Sequence, residues 1–370
     1  LSALRDTGAW LGFVVGLCLL AITWSSVLKT LLVPRNMPSL INANTARAVL
    51  VGFRVVAARV ADVSRREALL AAGPPVFLVT LLAVWIFSLF LSYALILLPF
   101  AGANPAIALR LSGSSLFTLG FALPAGPVPY AIAFLAAISG IGVIALMIGY
   151  MPTLYSAYNR RETLVTLLEA LSGVPPWGPE LLARQQLIGN VSYMARLYER
   201  WAEWAADISE SHSTYRTLIY FRSRDPRQAW PLALLAVLDA AALHIALCPD
   251  SAPAEIRPML RIGYSAMQTI ARTLRVSVNE DPHPSDPLTL TRADFDDAVR
   301  RLVDAGWTFE RSPDDAWPHF RGWRVNYETA AHNIAAHLDL PPAPWSGSRS
   351  YLGATTAMPV RPVNREPGSN

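Results

Sequence analysis

Between Glu67 and Arg160 the chain carries a single charged residue, Arg110. A soluble domain has about one charged residue in four, so this stretch cannot be the surface of one. Over all 370 residues the charged share is 16% against 53% hydrophobic, but the average hides a division. From Arg160 onward the charge density is ordinary. The chain therefore reads as a membrane part followed by a soluble part.

Three stretches reach the roughly 20 apolar residues that a bilayer crossing needs. They are Trp10 to Val33, Val76 to Leu98 (behind Pro74 and Pro75) and Val128 to Tyr150 (behind Pro127). Lys29 in the first can snorkel to the interface. Trp10, Phe100, Tyr130, Tyr150 and Tyr155 lie at or near the ends, where aromatic belts form. The first stretch is too long for a signal-peptide core and no small-residue cleavage site follows it. Numbering opens on Leu1, so an initiator is expected to precede it.

Arginines set the expected orientation. The first connection holds Arg35, Arg47, Arg54, Arg59, Arg65 and Arg66, the second only Arg110, and Arg160 and Arg161 follow the third span. Positive residues stay in the cytoplasm. This predicts an outer N-terminus, a cytoplasmic first connection and a cytoplasmic C-terminal half in a multi-pass protein of the cell membrane. Within the first connection Val49, Phe53, Val56, Val60 and Val63 recur at helical spacing, which predicts an amphipathic helix at the bilayer surface over Asn44 to Ala71.

The soluble half reads as helices at Arg160–Ser172, Glu180–Ser211, Gln228–Leu247, Ala254–Val276, Arg292–Ala305 and Arg324–Leu338. Thr291 with Asp294 looks like a capping start, and Gly306 like the matching stop. Strand-type alternation is limited to Tyr215–Phe221. Ser346 to Asn370 is Pro/Gly/Ser-rich and is expected to be disordered. The domain plan is thus 1–33 first span, 34–75 linker helix, 76–158 two spans with the segment between them, 159–345 helical cytosolic domain and 346–370 tail. The expected fold class is all-α.

The segment between spans two and three ends in Leu111 to Pro124, LSGSSLFTLGFALP, which is uncharged yet too polar to cross a membrane. Asn104 is a good N-cap and Pro105 suits the first helical position. A short helix to about Phe117 follows, and Thr118-Leu119-Gly120-Phe121 leaves it. Irregular backbone is tolerated at membrane depth only inside protein or around a water-filled cavity. Several copies around an axis would supply that enclosure.

Here the chain resembles the pore domain of the potassium-channel superfamily. Thr118-Leu119-Gly120-Phe121 is similar to its selectivity filter, and Leu111 to Leu116 to its pore helix, which here carries Arg110. Gly140, Gly142 and Gly149 resemble the glycines at which its inner helix bends. The resemblance covers Val76 to Tyr158. It implies a homotetramer in the lipid bilayer whose Thr118, Leu119, Gly120 and Phe121 oxygens bind permeating potassium or another monovalent cation, with no cofactor. Two features depart from it. Ala122-Leu123 stands where the family has Gly-Asp, and no carboxylate occurs from Ala68 to Arg161. The alternative reading is a non-conducting, pore-derived sensor or scaffold whose soluble half binds a ligand or partner that the sequence does not identify.

The remaining candidates are weaker. The net charge of +4 and pI near 9.2 come from scattered arginines, many beside spans, and do not indicate nucleic acid. Cys18 and Cys248 form no disulfide framework. His244 and Cys248, four apart, could share a helix face as zinc ligands, but no third ligand is near in sequence and core packing is the commoner explanation. His332 and His337 are five apart and do not share a face. Trp201–Trp204 and Trp317–Trp323 suit packing between helices better than a ligand pocket. No phosphate-binding or nucleophile motif appears, so no enzymatic activity is expected.

Overall fold

The computed structural model describes residues 2–33, 39–348 and 358–359. Among them there are twelve α-helices, three short 3-10 turns and no strand. Much of the expected tail, and Arg35 of the first connection, fall outside the described residues. Five helices are long and apolar enough to cross a membrane. The chain divides into two compact units, one of residues 1–60 and 68–156, the other of residues 61–67 and 157–370.

The first unit is built from α1 (Ser2–Leu31), α2 (Leu40–Ala57), most of α3 (Val63–Leu97), α4 (Pro105–Leu116) and the first part of α5 (Pro127–Ser172). Its helices meet through small residues and hydroxyls, the means available where apolar attraction between helices is lost to lipid. Gly16 of α1 lies against Ser92 and Ile96 of α3. Trp85 Nε1 of α3 donates to Ser26 Oγ at 3.0 Å, and Ser26 is 2.7 Å from the Ser39 hydroxyl that caps α2. Tyr93 of α3 reaches α5, with its hydroxyl 2.7 Å from Ser139 Oγ and 3.1 Å from Leu135 O.

Two expected boundaries move. The linker helix does not run to Ala71. It ends at Ala57, and α3 begins at Val63 and continues through Pro74 and Pro75. Proline removes one backbone donor, yet neighbouring helices allow it inside apolar helices, and α2 lies alongside, with Leu50 and Phe53 next to Gly73. Likewise α5 does not stop at Tyr150. It runs 46 residues through Pro152 to Ser172, absorbing the separate helix expected at Arg160. At 1.5 Å per residue it is about 69 Å long, more than twice a hydrocarbon core of about 30 Å.

The second unit surrounds α8 (Trp230–Leu247), packed by α6 (Gly178–Leu187), α7 (Tyr193–Thr214), α9 (Ile256–Leu274), α11 (Pro313–Arg324) and α12 (Glu328–His337), with α10 (Arg292–Asp304) against α6 and α11. Although α8 is apolar enough to span a bilayer, 94% of its apolar window is buried within the protein. A helix hydrophobic all round is the centre of a core as readily as a membrane span. Here it is the core. The capping box Thr291–Asp294 starts α10 as expected.

Other differences are local. The single helix expected over Glu180–Ser211 is two, broken between Leu187 and Tyr193 around Gly189. The expected strand at Tyr215–Phe221 is a 3-10 turn, Arg216–Tyr220. Helix α11, capped by Ser312 and opened by Pro313, was not expected, and α12 starts at Glu328, not Arg324. Ser346, at the head of the expected tail, is buried and hydrogen-bonded to Ala343.

Candidate functional site

The segment between α3 and α5 begins with the expected half-helix, but Thr118 to Gly120, expected to run extended, fold back on its end as a turn. Asn104 Oδ1 accepts from the N–H groups of Ala106 and Ile107, and Pro105 occupies the first turn. Ser112 and Gly113 bring α4 close to α3, with Ser112 Oγ donating to Phe90 O at 2.7 Å. At its far end α4 rests on α5, since a Cβ at Gly140 would overlap the Leu116 carbonyl. Only glycine allows that approach.

Beyond Leu116 the chain turns sharply. Thr118 has φ +55° and Gly120 φ +71°. The turn is held from behind by Ser114, whose carbonyl accepts from Leu119 N at 2.9 Å and Gly120 N at 3.2 Å. Thr118 N–H donates to Ser115 O, and its hydroxyl to Phe117 O. In contrast, the carbonyl oxygens of Thr118, Leu119, Gly120 and Phe121 accept no hydrogen bond among the described residues. The side chains of Leu119 and Phe121 are 64% and 58% exposed. The loop thus presents bare oxygens together with uncovered apolar side chains. The α4 C-terminus, the negative end of its dipole, adjoins them.

The other predicted residues of this region are scattered around that loop. Arg110 is exposed on α4. Gly140 serves the α4 contact, Gly142 faces Trp24 of α1 at 3.7 Å, and Gly149 has open space beside it. Helix α5 continues through all three. Ala122 is half-buried and bonded to Ser114 through both its backbone groups.

In the second unit the weaker candidates have packing partners. His244 Nδ1 lies 3.2 Å from Tyr198 Oη and its ring is edge-on to Trp307, while Cys248 Sγ points to Thr308 O. Among the described residues no three potential metal ligands come together. Trp201 and Trp204 are buried against each other with ring centroids 4.6 Å apart, and Trp317 packs on Phe295 and Phe320. His332 and His337 go to separate partners, Trp345 O and Tyr220 Oη.

Sequence reasoning missed several buried ionic clusters, three of which lie around α6, α7 and α8. Arg324 pairs with Asp239 and Glu328, and Tyr327 Oη donates to Asp239 at 2.8 Å. Burial pushes the Asp239 carboxyl up to about 6, and Arg324 and Tyr327 keep it from rising further. Glu180 sits between Arg184 and Arg301. Arg161, fully buried, donates to Leu218 O, Phe221 O and Glu162 and touches His212 Nε2. Burial first, and then Arg161, hold His212 well below its ordinary range. One signal was available: Asp239 is the only acid in the apolar run of α8, and a buried carboxylate requires a partner. These clusters tie helices of the second unit together. Comparison with protein-family models, with curated proteins and with solved structures finds no match for this chain.

Proposed function

We propose that this is an oligomeric membrane channel, a homotetramer whose loops from Thr118 to Phe121 surround a path for potassium and other monovalent cations. The observation that carries the reading is the run of four backbone carbonyls without intrachain partners, set between a half-helix and two long apolar helices. In hydrocarbon such oxygens are costly. Around an axis they would replace the hydration shell of a cation, with the α4 dipoles reinforcing the attraction. In this reading α1, the later part of α3 and the first part of α5 span the bilayer. Helix α2 lies at its cytoplasmic surface, and the second unit is a cytosolic regulatory domain. The fourfold order comes from the resemblance to potassium-channel pores.

A non-conducting scaffold with the same ancestry is the second reading. What favours it is the lack of any carboxylate from Ala68 to Arg161 and the exposed Arg110, which leave no acidic side chain to concentrate cations. The full chain in liposomes separates the two. Under the channel reading, a potassium gradient drives flux, and Gly120→Val abolishes it while blue-native sizing still shows the tetramer. A β-branched residue cannot hold φ +71° without strain, and its bulk would enter the path. A tetramer that passes no cation supports the scaffold, and a monomer removes the channel reading.

A further inference from the structure

Two helices pass from one unit to the other without a break. Residues 63–67 of α3 and 157–172 of α5 belong to the second unit, and the rest of each helix to the first. Both of these roots meet one short segment of the second unit, Leu218 to Ser223, at the end of the Arg216–Tyr220 turn. On the α3 side, the Arg222 guanidinium donates to Glu67 Oε2 at 2.8 Å and to Leu338 O at 2.6 Å, and Arg66 pairs with Asp339 beside it. On the α5 side, Arg161 donates to Leu218 O at 2.9 Å and Phe221 O at 2.7 Å. Tyr158 Oη donates to Arg222 O at 3.2 Å, and Ser223 Oγ to Glu162 at 3.1 Å.

The two attachments differ in kind. That of α5 ends on backbone carbonyls inside the core. Arg161 and Leu218 are fully buried, and the guanidinium lies over the rings of Tyr158 and Trp230. Withdrawing it would open the core and leave those carbonyls without a donor. The α3 attachment is made by ion pairs between side chains, and the Asp339 side chain is 32% exposed. Charges that part toward water recover their hydration, so such pairs separate at little net cost. We infer that the first turn of α3 is a latch, which can leave the Leu218–Ser223 segment while α5 stays fixed to it. With the latch closed, a displacement of the second unit is carried by both helices that flank α4 and its loop. With the latch open, it is carried by α5 alone. The inference holds for a channel and for a scaffold alike.

Pulsed electron-spin distance measurements on the full chain in liposomes test it, with Cys18→Ser to remove the exposed thiol. Labels on Ser64→Cys and Asn159→Cys, at two exposed positions, report one root against the other. Labels on Asn159→Cys and Ser277→Cys report the second unit by itself. Glu67→Gln with Asp339→Asn removes both acids at constant size. The 64–159 distribution should then broaden about twofold, while the 159–277 distribution stays as it was, the mark of local opening in a unit that remains folded. An unchanged 64–159 distribution would overturn the inference, because something other than the ion pairs would be holding α3. Equal broadening of both distributions would also overturn it, because the pairs would then belong to the fold of the second unit and not to a latch.

Discussion

The two units hold their helices together by opposite means. In the first, the buried polar contacts are between uncharged groups: Trp85 with Ser26, Tyr93 with Ser139, Ser112 with Phe90. The ion pairs described all lie in the second, where Arg161, Arg301 and Arg324 are buried beside Glu162, Glu180, Asp239 and Glu328. A hydroxyl can be left in an apolar setting by turning to a carbonyl of its own helix, as Thr23 and Ser92 do. A guanidinium cannot be satisfied so locally, and needs several partners from different elements. The neutral links are therefore individually weak and replaceable. The ionic ones are all-or-none, because losing one member strands the rest.

The largest expected effect follows directly. Arg324→Met leaves Asp239 and Glu328 buried without their cation, and should destabilise the second unit by about 3–5 kcal/mol. Urea titration of the detergent-solubilised full chain, followed by tryptophan fluorescence, reads this. A loss under about 1 kcal/mol, the scale of an exposed pair, would mean that the ionic clusters are incidental and the contrast empty.

An intermediate effect concerns acid. The unfolded chain protonates His212 near pH 6.5, but in the folded unit burial and Arg161 depress its pKa. The unfolded state then binds more protons, so the contribution is fully present above about pH 6.5 and is lost progressively as the pH falls toward the folded value. The slope is at most about 1.4 kcal/mol per pH unit. His212→Gln, which can still accept from Arg161, should flatten the pH profile by that amount. An unchanged slope would show that His212 takes up no proton on unfolding and does not contribute to the acid sensitivity.

The smallest change should be Ser139→Ala in the first unit. Hydrogen bonds between helices in a bilayer average about 0.6 kcal/mol, and Tyr93 retains the Leu135 carbonyl at 3.1 Å. Unfolding in mixed detergent micelles measures it. A loss as large as that of Arg324→Met would erase the distinction between the units.

What could be read in advance was whatever depends on near neighbours in the chain. Asn104-Pro105 opens α4, Thr291 with Asp294 opens α10, and the apolar stretches lie within long helices. What could not be read depends on distant partners. Pro74 and Pro75 look like a boundary until α2 is seen beside them. The polar segment from Met151 to Asn159 looks like a break, yet α5 passes through it. Helix α11 opens on Ser312 and Pro313, but its two tryptophans and mixed charges hide its apolar face until Phe295 and Trp345 are seen against Phe320. At the loop, Thr118 to Phe121 stood out, while Ser114 did not. Its importance lies in a bond to Ala122, eight residues away and across a turn.

If the proposed channel conducts, the seat of α4 on Gly140 separates two ways in which its pore could open. Helix α5 touches the Leu116 carbonyl with no space for even a methyl group, so rolling α5 at this level must displace the end of α4 and every oxygen after it. Gly149, more than two turns further along, has no neighbour within 4 Å. Bending there would widen the inner mouth and leave the lining undisturbed. Conductance could then switch off with selectivity unchanged when the helix flexes at Gly149, whereas twisting at Gly140 would alter both together.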